Sequence, residues 1–257
     1  MIADLSKLLI LLLIVIYTGT GIYLYVEQRK FLYHPTEDIK TDYPTMTLKQ
    51  KDASVNVIVL NGEHENAILY FGGNAESMAQ SADYIAGQFP GFTVYLMDYR
   101  SYGASTGKPG EEALYADALA LYDAIKLEHR RISVGGRSLG TAVATYVAAR
   151  REVSKLALIT PFDSIVNVAQ ERYPLYPVHF LLHDKYDSSS RAGQIRADTF
   201  IVIAEHDEII SFERVEKLIE AFNPEQLSVE MIKGRGHNDI SSDERYYKIM
   251  QDFIAEG

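Results

Sequence analysis

From about residue 40 onward the chain alternates short runs suited to strands with longer stretches suited to helices, and this alternation limits the fold more than any other feature. Val55 to Leu60, Ala67 to Phe71, Thr93 to Met97, Arg131 to Val134, Leu156 to Thr160, Phe200 to Ala204 and Ser228 to Ile232 are short apolar runs, rich in β-branched or aromatic residues. Between them, Ala75 to Gln88, Glu111 to Glu128, Leu139 to Arg150, Phe212 to Ala221 and Ser241 to Ile254 repeat their apolar residues at helical spacing. Strands and helices in that order give an α/β fold, a mainly parallel central sheet covered by helices on both faces. Glu111 and Glu112 open the second helix where carboxylates meet its dipole favourably, and Pro109-Gly110 marks the turn before it.

The N-terminus is different. Leu8 to Val26 carries no charge over 19 residues and is bounded by Lys7 and by Glu27, Arg29 and Lys30. As a helix it spans about 28 Å, close to the hydrocarbon thickness of a bilayer. Tyr17, Tyr23, Tyr25, Phe31 and Tyr33 gather toward its C-terminal end, where aromatic rings suit the headgroup boundary. A cleaved signal has a shorter apolar core and a small-x-small cleavage site, so an uncleaved single-pass anchor is the expectation. Positive charges balance across the run, which leaves the side of the membrane open. The chain therefore divides into an anchor with its flank, 1–30, and one catalytic domain, 31–257.

Composition narrows the chemistry. Of 257 residues, 47% are hydrophobic and the formal net charge is -10, so a full core is available and a general nucleic-acid binder is disfavoured. Cysteine is absent, which excludes disulfides, a thiol nucleophile, cysteine-ligated zinc and iron–sulfur clusters together.

In such sheets chemistry collects where strands give way to helices. Gly136-Arg137-Ser138-Leu139-Gly140 lies at one such junction and reads G-x-S-x-G in strand–turn–helix context. A serine on so sharp a turn needs neighbours without a Cβ, and the helix N-terminus behind it favours developing negative charge. The serine needs a base, and the base an orienting acid. His237, in Gly234-Arg235-Gly236-His237-Asn238-Asp239, alone among seven histidines sits in a glycine-flanked loop after a late strand. His34, His64 and His129 read as solvated imidazoles. His206 competes, but it adjoins Asp207, and adjacent residues rarely face one point. Asp207 is the favoured acid and Asp163 the alternative. The order Ser138, Asp207, His237 is the one expected of an α/β-hydrolase arrangement. Asn74, in Phe71-Gly72-Gly73-Asn74-Ala75, and Leu139 are positioned to offer the two backbone amides of an oxyanion hole.

These residues resemble the α/β-hydrolase superfamily, and within it the membrane-anchored Bem-like group related to α/β-hydrolase-domain proteins that include protein depalmitoylases. The resemblance runs from about Tyr33 onward through LYFGGNA (69–75), MDYRSYGASTGKP (97–109), GGRSLGTAVA (135–144), LLHDKYDS (181–188), HDEII (206–210) and GHND (236–239). It implies a Ser138–His237–Asp207 triad and an N-terminal anchor. The family usually carries His-Gly-Asn where this chain has Gly72-Gly73-Asn74, which implies altered loop rigidity rather than lost activity.

The expected reaction is hydrolysis of an acyl ester or thioester through an acyl-enzyme, with no metal and no cofactor. An aminopeptidase-type amide hydrolase and a catalytically silent membrane scaffold are the alternatives. Residues 162–196 form a cap-like insert. Tyr173, Pro174, Tyr176, Pro177, Phe180, Leu181, Leu182 and Tyr186 in it either wall an acyl pocket or, for most of them, pack on the sheet. Asp98 and Arg100 read as a structural charged pair, while Asp184 stays open between a loop salt bridge and a pocket role.

Overall fold

A computed structural model describes residues 2–255; Met1, Glu256 and Gly257, the outermost residues of the two expected segments, lie outside the described residues. Eight strands form one sheet in the order β1-β2-β4-β3-β5-β6-β7-β8. The strands are β1 (Thr45–Lys49), β2 (Ser54–Leu60), β3 (Asn66–Phe71), β4 (Thr93–Met97), β5 (Arg131–Arg137), β6 (Lys155–Ile159), β7 (Asp198–Ala204) and β8 (Leu227–Ile232). β1 and β2 pair antiparallel, and so do β2 and β4; every pairing from β4 through β8 is parallel. This is the α/β-hydrolase fold. β4, β6 and β7 are buried through their centres, which is why they read as continuous apolar runs, whereas the edge strand β8 is exposed at its centre.

Helices cover both faces. On one side α3 (Glu111–Ile125), α4 (Leu139–Ala148) and α8 (Phe212–Ala221) contribute Leu114, Leu121, Val143 and Leu218 to the larger apolar cluster. On the other, α2 (Met78–Gln88) and α9 (Glu244–Ala255) bring Met78, Ile85, Tyr246 and Met250 against Ile68, Leu96 and Phe200. α2 starts three residues later than its spacing suggests because Ala75 has positive φ and Ser77 caps the helix by accepting from the Gln80 amide. β1 escapes the apolar pattern because it is an edge strand with a single buried residue, Leu48.

The insert carries three short helices: α5 (Ile165–Arg172), α6 (Val178–Leu181) and α7 (Ser189–Ala192). Contrary to expectation, most of its aromatic residues are not packed on the sheet. Tyr186 is fully buried, but Tyr176 is half-buried against the N-terminal helix, Tyr173 is half-buried and Phe180 is exposed. Helical spacing identifies a face to be covered, not the element that covers it. Here that element arrives from about 150 residues away.

It is α1 (Ile2–Leu32), a 31-residue helix about 46 Å long that runs unbroken through residues 30 and 31. It alone among the described helices is long and apolar enough to cross a membrane. Its final turns lie on the insert. Tyr17 stacks on Tyr176 with ring centroids 4.7 Å apart and donates to the Leu175 carbonyl. Gln28 donates to the Leu181 carbonyl and accepts from the His183 amide. Arg29 forms a two-pronged ion pair with buried Asp184 at 2.8 and 3.0 Å, and Asp184 also accepts from the Tyr33 hydroxyl and the Glu111 amide. Asp184 is thus a salt-bridge residue that ties three elements together.

Asp98 and Arg100 do not pair with each other. Both are buried, but the Asp98 carboxylate accepts from Asn56 Nδ2, whereas Arg100 grips Asp117 at 2.7 and 3.0 Å and reaches Asp52 at 2.8 Å. Burial pushes the Asp98 carboxyl above its ordinary value, against the pull of the Asn56 and Ala104 donors. His129 is likewise not simply solvated: its ring bonds the Tyr95 hydroxyl at 2.8 Å and the His64 carbonyl at 2.9 Å.

Candidate active site

The parallel register brings the C-terminal ends of β3, β5, β7 and β8 to one edge of the sheet, with Phe71 beside Gly136 and Ala204 beside Ile232. Each expected site residue leaves one of these ends. Ser138 sits between β5 and α4 with φ 48° and ψ -118°, a conformation costing about 1–3 kcal/mol for a residue with a Cβ. Its amide bonds the Ile159 carbonyl at 2.9 Å, and the flanking glycines permit the approach. A Cβ on Gly140 would stand 1.9 Å from the Phe71 carbonyl oxygen, and one on Gly136 would stand 2.3 Å from the Gly140 oxygen.

Ser138 Oγ lies 2.9 Å from His237 Nε2, and His237 Nδ1 lies 2.8 Å from Asp207 Oδ2. The His237 and Asp207 side chains are 5% and 7% exposed, so this relay is shielded from water along most of its length. The other carboxylate oxygen of Asp207 accepts from the amides of Ile209 and Ile210 at 2.9 and 2.8 Å, which fixes its orientation. The His237 amide donates to Glu208 at 3.1 Å. His206 points outward, its side chain 70% exposed. Asp163 is committed elsewhere: it accepts from the Ser164 amide, Asn167 Nδ2 and Arg214 Nη1.

Leu139 is buried at the start of α4 and Asn74 follows β3 in the loop facing it. Among the described residues, neither backbone amide has a protein acceptor. The loop bearing Asn74 is pinned at three successive residues. The Tyr99 hydroxyl donates to the Gly72 carbonyl, Glu76 accepts from the Gly73 amide, and the Asn74 side chain bonds the Leu32 carbonyl, the His34 amide and the Tyr102 hydroxyl. The space beside Gly72 is taken by the methyl of Met78, 2.3 Å from where a Cβ would stand.

Two contributors escape a reading of the sequence. Arg137, between the motif glycine and the serine, lies 3.7 Å from Glu76 and donates to the His237 and Asn238 carbonyls at 3.1 and 3.4 Å. Burial opposes its charge most strongly, but Glu76 together with Tyr70, Tyr246 and Tyr247 holds the guanidinium above its ordinary pKa. One cation thus links the loop after β3 to the loop after β8. The available signals were only an arginine beside the serine and a glutamate two residues past Asn74; neither type in isolation points to such a brace. Among the described residues no three His, Asp or Glu side chains gather as a metal site.

The arrangement offers a hydroxyl nucleophile, a shielded base with its acid, and two unspent amide donors. No family model matches the chain. It is 30% identical over 238 residues to Rv2307c, an uncharacterised protein of Mycobacterium tuberculosis, a match covering 86% of this chain and 84% of that one. It is 29% identical over 197 residues to human alpha/beta hydrolase domain-containing protein 17B, covering 74% of this chain and 66% of the relative. Among solved structures, Pyrococcus furiosus esterase Pf2001 superposes with a TM-score of 0.71 at 16% identity, over 87% of this chain and 95% of that one. The chain belongs to the α/β-hydrolase superfamily.

Proposed function

We propose that this protein is a membrane-anchored serine hydrolase of the Bem-like group that cleaves acyl esters or thioesters through a Ser138–His237–Asp207 triad. The observation that carries the reading is the unbroken chain of hydrogen bonds, 2.9 Å from Ser138 Oγ to His237 Nε2 and 2.8 Å from His237 Nδ1 to Asp207 Oδ2. Such spacing is what proton transfer from a nucleophile to a base requires. In the acylation step Ser138 Oγ attacks the carbonyl carbon as its proton passes to His237 Nε2. Asp207 stabilises the imidazolium and keeps Nδ1 protonated beforehand. The amides of Asn74 and Leu139 receive the oxyanion, a role worth about 3–4 kcal/mol per donor in the transition state. Collapse expels the alcohol or thiol, which takes the proton from Nε2, and water then releases the acyl group by the same path in reverse.

On this reading residues 1–30 anchor the catalytic domain, 31–257, and 162–196 act as its cap. The Pyrococcus furiosus neighbour is named an esterase, in keeping with an ester substrate. The test is labelling by a fluorophosphonate probe. Wild type should react stoichiometrically at Ser138 and Ser138→Ala should not; full labelling of that variant would remove the nucleophile assignment.

A further inference from the structure

Between the last turns of α1 and the insert lies a cavity of about 340 Å³, at the small end of the range for ligand pockets. α1 supplies Gly21, Leu24 and Leu32 to its walls, and the insert supplies Val168, Ala169 and Leu182. Apart from Gln28 and Arg172 every lining side chain is apolar or aromatic, and the Gln28 amide is spent on the Tyr25 and Leu181 carbonyls and the His183 amide. The site described above contributes none of its triad to these walls.

The two ends of the cavity lead in different directions. At one end is Leu32, whose carbonyl accepts from the side chain of Asn74; beside Asn74 is Gly73, where a Cβ would stand 3.7 Å from Ser138 Cβ. At the other end are Gly21 and Leu24, which belong to the uncharged run of α1. Next to that end the insert presents Leu175, 77% exposed, whose carbonyl accepts from Tyr17 where that ring stacks on Tyr176; Phe180 in α6 is equally exposed. Exposed large apolar side chains beside a candidate membrane span mark a surface made to meet lipid. The cavity is therefore an apolar slot whose Leu32 end adjoins the loop that bears Asn74 and whose Gly21 end lies in the uncharged run of α1. Along α1 it runs over residues 21 to 32, about 17 Å at 1.5 Å per residue.

We infer that this slot is the acyl-chain site, that its occupant is the long alkyl chain of a bilayer-resident ester or thioester, and that α1 is one of its walls as well as the anchor. The inference rests on the serine-hydrolase reading and adds a substrate class to it. It assigns specificity to α1, an element whose sequence speaks only of a membrane. An alkyl chain suits the slot because it asks for no polar partner, and each methylene withdrawn from water favours binding by about fourfold.

The test uses the full chain in phosphatidylcholine vesicles and 4-nitrophenyl esters from butanoate to dodecanoate. Active sites are counted with a small fluorophosphonate. Wild type should show kcat/KM rising at least thirtyfold from butanoate to dodecanoate. Ala169→Trp and Leu24→Trp, which fill the slot from its two sides, should each lower the dodecanoate-to-butanoate ratio at least tenfold. Leu127→Ala, at an exposed site on the loop after α3, should leave that ratio unchanged. A ratio within twofold of wild type in both tryptophan variants would overturn the inference. A second measurement does not depend on the variants folding. A dodecyl fluorophosphonate with a terminal diazirine, bound to wild type and irradiated, should crosslink within 21–32 or 165–182, and crosslinks confined elsewhere would refute the assignment. Probe labelling and butanoate turnover without any chain-length preference would reject the slot alone, whereas neither labelling nor turnover would reject the serine-hydrolase reading beneath it.

Discussion

Replacing Asp207 with asparagine tests the proposed acid with almost no change of shape. The carboxylate has two distinct tasks: Oδ1 accepts from the Ile209 and Ile210 amides, and Oδ2 faces His237 Nδ1 at 2.8 Å. Two backbone donors demand an acceptor, so the asparagine must turn its oxygen toward them and its NH2 group toward His237. A donor facing Nδ1 makes that nitrogen the acceptor, and the ring proton moves to Nε2. Nε2 then points a hydrogen at Ser138 Oγ and cannot receive one. The loss should therefore be chemical rather than structural, on the order of 10⁴ in kcat, equivalent to about 5.5 kcal/mol of transition-state stabilisation. KM should move less than threefold, because nothing in the exchange alters the slot or the amides. The assay is steady-state hydrolysis of 4-nitrophenyl butanoate per folded molecule, with thermal unfolding as the control.

Asp163→Asn provides the contrast. Asp163 is buried in an ion pair with Arg214 at 3.0 Å, but Arg214 keeps its pairings with Glu171 and Glu213, so the exchange should cost about 2 kcal/mol of stability. Turnover per labelled serine should nonetheless stay within threefold of wild type. The reasoning fails if Asp207→Asn retains more than a tenth of wild-type kcat, and the acid must be reassigned if Asp163→Asn is the variant that loses it.

Arg137→Ala removes the cation joining Glu76 to the carbonyls of His237 and Asn238, and should lower kcat about tenfold while KM changes less than twofold; steady-state kinetics decides. Gly140→Ala drives a Cβ into the backbone oxygens of Phe71 and Gly72, atoms that cannot yield as a side chain would. It should cost about 3 kcal/mol and lower the melting temperature by roughly 10 °C, read by calorimetry. Hydrogen bonds from Arg151 and Lys126 hold Asp123 at about 2, so this group's contribution to stability is present above the unfolded carboxylate value and disappears as pH falls through about 2. Because the side chain is 36% exposed, Asp123→Asn should cost at most about 1 kcal/mol at pH 7 and nothing below pH 2, as chemical denaturation across that range would register.

The centre of the sheet was legible because its strands are buried on both faces and so announce themselves as apolar runs. β1 was not, since only Leu48 in it is buried. The residues of the proposed triad stand out in the sequence for a related reason: strand ends converge on one edge, so a serine, an aspartate and a histidine after β5, β7 and β8 are candidates for one point in space. The G-x-S-x-G motif singled out Ser138 and the glycine-flanked loop after a late strand singled out His237, but the choice between Asp207 and Asp163 depends on where each side chain points, which a sequence does not encode directly. The same limit hid Glu76 and Arg137, whose roles exist only because the end of β5 meets both the loop after β3 and, 100 residues further along the chain, the loop after β8. It also misdirected the reading of the insert. Tyr173 and Tyr176 have the spacing of core residues, yet the surface on which Tyr176 packs belongs to α1, more than 140 residues earlier in the chain.

The charge distribution makes a last prediction about how the protein meets lipid. The chain carries a formal net charge of -10; residues 1–30 are net +1, which leaves -11 on the rest. An anionic bilayer repels such a domain within a Debye length of about 8 Å, at a cost on the order of 1 kcal/mol for each charge near the surface. Against this, the nine consecutive residues Leu8 to Ile16 are each between 53% and 63% exposed on α1. Transferring their side chains to hydrocarbon is worth on the order of 10 kcal/mol or more, a term that salt does not screen. The hydrophobic term should dominate. Association with vesicles should thus persist from 0.05 to 0.5 M salt and should not strengthen when phosphatidylserine is added. Release of the protein from phosphatidylserine vesicles by salt, measured by flotation, would mean that basic residues rather than α1 hold it there. That result would also remove the alignment of the slot with the bilayer, because α1 and the insert are joined through Arg29 and Asp184 and must approach the membrane together.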